Sequence, residues 1–141
     1  MCLSRIINQE YIKKVDAEIG YKIYRAYYDS DAYYSLYRVE KTKYCLGKSY
    51  TARTYDKIAT LDMRSLGYNA YVPYFHIFRD KKDAVNLFTK MRYEVDVDIK
   101  IVKIKYWGKI VRGREADLTF PNNKWYFVNV AEHIQLIEEV K

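Results

Sequence analysis

Hydrophobic and polar positions alternate with a period of two along much of the chain, the spacing of β-strands with one buried face. The alternation runs over 21–28 and resumes over 33–39. Between these runs, Asp29-Ser30-Asp31 has the composition of a turn. The pattern therefore predicts a β-hairpin with aromatic residues on both faces.

Four further segments have strand patterns. A short strand, a glycine turn and another short strand are predicted over 44–52, and a buried strand over 74–78. Residues 125–131 predict another strand, which 133–137 either extend or follow as one more. Pro121-Asn122-Asn123-Lys124 predicts the chain reversal before it.

The alternation over 95–106 changes phase at its centre. Apolar side chains stand at odd positions up to Ile101 and at even positions from Val102 onward. One extra residue there would keep the neighbouring lysines on a common outer face, so we predict a β-bulge at Ile101 or Val102. Trp107-Gly108-Lys109 predicts a turn, and one or two short strands are expected over 110–120.

Two segments have helical spacing instead. One apolar stripe is formed by Ala84, Leu87, Phe88 and Met91. With Asp80 placed to accept hydrogen bonds from free backbone amides, this stripe predicts a helix over 81–92. A possible short N-terminal helix, ended by Gly20, is predicted from the spacing of Tyr11, Ile12, Val15 and Ile19.

These elements predict an α+β fold. We expect a mainly antiparallel sheet of about five to seven strands, with the helix covering one face. A length of 141 residues and 50% apolar composition favour one domain spanning 1–141. No stretch is apolar enough for a membrane span, and the N-terminus lacks a secretory pattern, so an intracellular protein is expected.

Composition adds a clue to function. The chain has 17 tyrosines and 25 Lys and Arg against 18 Asp and Glu, which gives a net charge of +7. Positive charge without acidic residues is concentrated between Asp98 and Glu115, at Lys100, Lys103, Lys105, Lys109, Arg112 and Arg114. Together with Trp107 as a stacking surface, these residues are predicted to bind an anionic ligand, a nucleic acid or a nucleotide. The alternative is a solvated strand face that discourages edge pairing.

A second candidate surface lies at the tip of the predicted hairpin. Four phenol rings are concentrated there, Tyr27, Tyr28, Tyr33 and Tyr34. If exposed, they would form an adhesive patch for a host or virion protein, and otherwise they fold back on the sheet.

The sequence contains no complete catalytic or cofactor motif. Cys2, Cys45, His76 and His133 are too widely spaced for a typical zinc site, and both cysteines are expected to be free thiols. Gly47-Lys48-Ser49 lacks the earlier glycine of a phosphate loop. We therefore expect no metal and no cofactor.

Several short sequence motifs occur in order along the chain: Met1-Cys2-Leu3, Phe75-His76, Asp83-Ala84 and the residues from Ile134 to Glu139. With these motifs in this order, the chain resembles a loose set of small uncharacterised phage and bacterial proteins, although Tyr74 stands where glycine is expected. The resemblance implies a compact accessory protein of viral or mobile-element origin and brings no known activity.

Three functions follow as hypotheses. The first is a non-enzymatic accessory binding protein for an anionic ligand or a host protein. The second is a structural or assembly component, such as a minor virion protein. The third is an enzyme acting on nucleotides or nucleic acid, with catalytic groups drawn from His76, Tyr74, Arg112 and Glu132.

Overall fold

The computed structural model describes residues 5–6, 13–27, 31–35, 43–52, 75–93, 98–116 and 125–140. Within these ranges the chain forms, in order, the strands and helix β1 (Arg5–Ile6), β2 (Lys13–Ala26), β3 (Tyr33–Ser35), β4 (Ser49–Thr51), β5 (Phe75–Phe78), α1 (Lys81–Met91), β6 (Ile99–Ala116) and β7 (Trp125–Val140). These seven strands belong to one sheet, and all their pairings are antiparallel. The α+β fold class is confirmed.

The sheet closes on itself. Strand β6 pairs with β2 along one edge and with β7 along the other. Strand β5 joins the remaining edges, because Tyr21 of β2 pairs with Phe78 and all of β5 pairs with β7. The strands β2, β6, β7 and β5 therefore form a ring, named here the strand ring.

Each face of the ring strands has its own hydrophobic core. Helix α1 covers the outer core, where Ala84 and Met91 pack with Ile23 and Phe78. The second cluster, named here the inner core, lies on the opposite face of the ring strands and is rich in tyrosine. Its buried residues are Tyr24, Tyr33, Tyr44, Ile77, Val102, Ile104, Tyr106, Ile110, Ala131, Ile134 and Leu136.

Several predicted elements are confirmed. Helix α1 lies within the predicted 81–92, and β5 occupies most of 74–78. The hairpin is present where β2 pairs with β3, from Tyr24 opposite Ser35 to Ala26 opposite Tyr33. Residues 133–137 extend the last strand, since β7 is continuous to Val140. The reversal at 121–124 lies outside the described residues.

The prediction of an N-terminal helix is wrong. Residues from Lys13 onward belong to β2, whose backbone pairs with β6 from Lys13 opposite Ile110 to Arg25 opposite Ile99. A register shift between Val15 and Glu18 interrupts the alternation, which explains why the apolar spacing there resembles that of a helix.

The predicted bulge at Ile101 or Val102 is also wrong. Pairing of β6 with β2 is continuous from Tyr106 to Ile99. Both phases of the apolar pattern are satisfied because Ile101 packs in the outer core and Val102 in the inner core. The irregularity lies on the other side of the strand, where the β6 and β7 register shifts between Lys103 and Ile104.

Trp107-Gly108-Lys109 does not form the predicted turn, because β6 runs through it. Gly108 has a φ of 85° and lies at register shifts with both β2 and β7. A Cβ atom at this position would collide with the ring of His133. The glycine therefore permits a bulge inside a continuous strand.

Candidate polar cleft

A chain of charged and polar side chains begins where β2 and β6 face each other. Glu18 and Tyr106 are directly opposite residues of these strands. The Tyr106 hydroxyl donates to Glu18 Oε2 at 2.7 Å, and Arg112 Nη2 donates to Glu18 Oε1 at 2.6 Å. Both oxygens of one carboxylate are thus held by donors from β6.

The chain of hydrogen bonds continues into the inner face. Asn129 of β7 is completely buried, and its Nδ2 donates to the Tyr106 hydroxyl at 2.7 Å. Among the described residues, Asn129 Oδ1 has no hydrogen-bond donor. A buried amide without a hydrogen bond costs free energy, so the bond from Asn129 is favoured. This bond holds the Tyr106 hydroxyl in one position. Asn129, Tyr106, Glu18 and Arg112 are named here the polar network.

Glycine makes room for this arrangement. A Cβ atom at Gly20 would collide with the Ile77 side chain, lie 2.7 Å from the Phe78 carbonyl oxygen and lie 3.1 Å from Tyr106 Cε1. Because Gly20 has no side chain, β5 and the Tyr106 ring can both approach the backbone of β2 closely.

The network shifts the acidity of its members. Burial disfavours the charged form of Glu18, but the hydrogen bonds from Tyr106 and Arg112 and the positive charges of Arg112 and Arg79 outweigh it and lower its pKa. Burial, followed by the bond to Glu18, raises the pKa of Tyr106 to about 12. At neutral pH the pair is therefore a carboxylate that accepts from a neutral phenol.

The network opens into a shallow cleft of about 580 Å³, named here the polar cleft, lined by Glu18, Ile19, Arg79, Asp80, Tyr106 and Arg112. Arg79 and Asp80 connect β5 to α1. Asp80 is the N-cap residue of the helix, but its side chain makes no capping hydrogen bond, contrary to the sequence prediction. Asp80 lines the cleft instead, and the first turn of α1 begins there.

An aromatic ring lies next to the cleft. The Arg79 guanidinium is 5.5 Å from the centre of the Phe127 ring, which is 40% exposed. The backbone N–H of Arg79 donates to the Phe127 carbonyl at 3.1 Å, which fixes β5 against β7 at this point. The cleft thus combines two guanidinium groups and two carboxylates. The half-exposed Phe127 ring is not part of its lining and lies beside Arg79.

Of the seven residues predicted to bind an anion, Arg112 is the one described residue that lines this cleft. Lys100 lies 3.6 Å from Glu139, and Lys103 lies 3.8 Å from Glu138. Since the β6 register is continuous, Lys100 is on the opposite face from Lys103 and Lys105. The side chains of Lys109 and Arg114 lie outside the described part of the structure.

Trp107 lies in a separate cluster. Its ring stacks on His133, with centroids 5.7 Å apart and planes at 20°. His133 Nδ1 is 2.9 Å from the Thr51 hydroxyl, its neighbour on β4, and Nε2 is 3.6 Å from Glu132. One face of the indole is therefore occupied by this imidazole.

The predicted tyrosine patch is divided by the fold. Tyr33 is buried, and its hydroxyl donates to Glu139 at 3.1 Å, so it belongs to the inner core rather than to the surface. Tyr27 is 50% exposed and packs edge-on against Tyr34, with ring centroids 5.1 Å apart. Tyr28 lies outside the described residues.

The residues considered for catalysis lie at different places. Arg112 is in the polar cleft, Glu132 is beside His133, and His76 is in β5 opposite Val130. Tyr74 is outside the described residues. Cys45 is a free cysteine with partial exposure.

Potential metal ligands do not cluster in the described ranges. No group of three or more His, Cys, Asp or Glu residues able to hold a metal ion occurs there. In that part of the chain, no helix combines the length and apolarity needed to cross a membrane.

Most of the polar cleft was missed at the sequence level. Asn129 gave one usable signal, since it is a lone amide within the apolar and aromatic run of 125–131. The other three residues give no signal, because Glu18 falls in a predicted helix, Asp80 is the predicted helix cap, and Arg79 has no pattern of its own. Comparison with protein-family models, curated proteins and solved structures gave no match. The resemblance to phage and bacterial proteins stays a prediction, and any functional proposal depends on the geometry of the site.

Proposed function

We propose that the protein is a non-enzymatic binding protein that holds a small phosphate-bearing ligand, such as a nucleotide, in the polar cleft. The observation that carries this proposal is the convergence of Arg79 and Arg112 on one open cleft at the start of α1. One guanidinium group can donate two parallel hydrogen bonds to a phosphate, and the positive N-terminal end of a helix favours an anion.

The size and lining of the cleft support a small molecule. The shallow cleft of about 580 Å³ has room for a small molecule, which would remain partly exposed to solvent. The Arg79 guanidinium lies over one face of the half-exposed Phe127 ring, and a planar base could stack on the other face. Phosphate and ring would then be held by adjacent groups.

The charges favour a small ligand over a nucleic acid strand. Lys100 and Lys103 are next to glutamates, which reduces the positive field along β6. Glu18 and Asp80 place negative charge in the cleft itself. A long polyanion gains from many unopposed cations, whereas one phosphate needs only a local pair of arginines.

Titration with AMP, followed by two-dimensional NMR of the backbone amides, tests the proposal. We expect shifts at the residues lining the cleft and roughly tenfold weaker binding for Arg79→Gln, the effect of losing one charge-assisted hydrogen bond. Arg92→Gln is the matched control, because Arg92 is also exposed and lies 5.4 Å from the centre of a ring, that of Tyr93. Equal affinity of wild type and Arg79→Gln would contradict the proposal. Tighter binding of a single-stranded oligonucleotide would favour nucleic acid.

A structural or assembly role is the second candidate. The edge-on pair of Tyr27 and Tyr34 at the hairpin supports it, because exposed tyrosines are frequent at the centres of protein interfaces. The sedimentation velocity of the purified protein tests this role. An oligomer that dissociates in Tyr27→Ser supports it, and a monomer at all concentrations removes self-assembly.

A further inference from the structure

We infer that the ligand of the polar cleft joins an anionic group to an N–H donor group, an ammonium in the simplest case, and that Glu18 accepts from the donor. The inference rests on the proposed function and narrows its ligand class. The anion faces Arg79 and Arg112, and the donor faces Glu18.

Glu18 has acceptor capacity that no described residue uses. An ionised carboxylate offers about four lone-pair sites. Among the described residues, one donor reaches each oxygen, Arg112 at Oε1 and Tyr106 at Oε2. The Glu18 side chain is 32% exposed and lines the cleft, so its remaining sites are accessible to a ligand.

Positive and negative side chains are balanced in the cleft. The cleft is lined by two arginines, Arg79 and Arg112, and by two carboxylates, Asp80 and Glu18. A ligand with negative charge alone is attracted by the first pair and repelled by the second. A ligand with a donor next to its anion satisfies both, and complementary charge of this kind is a main source of specificity.

The Glu18 carboxylate is held rigidly. Glu18 is held at both oxygens, and the Tyr106 hydroxyl that holds it is itself bonded to Asn129, which is completely buried. The carboxylate therefore presents its free lone pairs in a fixed direction. A fixed acceptor loses little entropy when a ligand binds, and this makes it a selective one.

The anionic state of Glu18 is secured under ordinary conditions. Hydrogen bonds from Tyr106 and Arg112, together with the positive charges of Arg112 and Arg79, overcome the opposing effect of burial and lower the pKa of the carboxyl. The acceptor is thus fully ionised at neutral pH.

A matched pair of probes tests the inference on the wild-type protein. Phosphoethanolamine and ethyl phosphate carry the same phosphate, but only the first carries an ammonium. We expect phosphoethanolamine to bind about tenfold more tightly by NMR titration, the gain from one hydrogen bond to a charged group. Glu18→Gln should abolish this preference. Glu138→Gln changes an exposed glutamate paired with Lys103 and should preserve the preference for phosphoethanolamine.

The outcomes separate the inference from the function on which it rests. If the two probes bind wild type equally and Arg79→Gln weakens both, the donor requirement is overturned and the anion site stands. If neither probe nor AMP binds, both proposals fail. Because the probe comparison uses wild type, it does not depend on how well Glu18→Gln folds.

Discussion

Two ion pairs on the same strand behave differently in this structure. Arg112 meets Glu18 at 2.6 Å with side chains 22% and 32% exposed, whereas Lys103 meets Glu138 at 3.8 Å with side chains 35% and 64% exposed. The first pair is held by a third and a fourth residue, Tyr106 and Asn129. The second is a direct cross-strand pair on the outer surface.

The difference shows that charge on β6 is not enough to make a site. Solvent screens the Lys103 pair, and such surface pairs contribute about 0 to 1 kcal/mol. The Arg112 pair is supported by a buried amide and a buried phenol, so its geometry is fixed. A functional site is therefore expected where the charges are organised by the core.

Gly20→Ala is expected to have the largest effect on stability. The new methyl group would meet the Ile77 side chain and the Phe78 carbonyl and press on the Tyr106 ring. We expect a loss of roughly 3 kcal/mol in the free energy of unfolding, measured in urea, because a packed site cannot expand freely. Gly47→Ala is the control. Gly47 has a φ of 81° and no atom within 4 Å of an added Cβ, so only backbone strain of about 1 kcal/mol is expected. Equal losses would show that Gly20 is not needed for close packing.

Tyr106→Phe removes the link between Glu18 and Asn129 while keeping the ring. The free energy of unfolding should fall by about 2 kcal/mol, because a buried amide and a carboxylate oxygen each lose a partner. Tyr27→Phe alters a half-exposed phenol and should change stability by less than about 0.5 kcal/mol. A Tyr106→Phe protein as stable as wild type would mean that the network does not act as a unit.

Acid should weaken the Glu18 interactions selectively. Burial alone would raise the pKa of Glu18 in the folded protein. The hydrogen bonds from Tyr106 and Arg112 and the positive charges of Arg112 and Arg79 outweigh burial, so this pKa is below the ordinary 4.5. The unfolded state therefore binds more protons than the folded state. The contribution of Glu18 is complete above pH 4.5 and is lost as the pH falls through the lowered pKa. Urea unfolding from about pH 7 to about pH 2 should show the gap between wild type and Glu18→Gln closing on acidification. A gap that does not change with pH would contradict this.

Lys103→Gln should have the smallest effect. Its partner Glu138 is 64% exposed and 3.8 Å away, so unfolding free energy should change by no more than about 0.5 kcal/mol at moderate salt. Ligand affinity at the cleft should be unchanged in the NMR titration. A marked loss of affinity would return the binding site to the lysine face of β6.

Helix α1 and strand β5 could be predicted because local pattern and final environment agree. The stripe that includes Ala84 and Met91 is buried by the outer core as its spacing indicates. At the start of β2 the local pattern and the final environment disagree. A register shift between Val15 and Glu18 breaks the alternation there, and the resulting apolar spacing resembles that of a helix. A bulge is defined by pairing with the partner strand, and local spacing alone does not reveal that pairing.

Prediction of the site failed for a related reason. The sequence identifies Arg112 as a cation, but its partner Glu18 is 94 residues away, in a segment whose spacing predicts a helix. The sequence also identifies Lys100 as a cation, yet it lies beside Glu139 of the neighbouring strand β7. Charge is a local property of the sequence, whereas the pairing of charges depends on strand order and register.

The sequence by itself determined that the protein would be a mainly antiparallel α+β fold with a helix after Asp80, because side-chain periodicity and turn chemistry are encoded within short segments. Only the tertiary structure decided that the ring closes through β5 and that Glu18, Tyr106, Arg112 and Asn129 meet. These contacts join residues from three different strands, and their geometry follows from long-range pairing and the close approach permitted at Gly20.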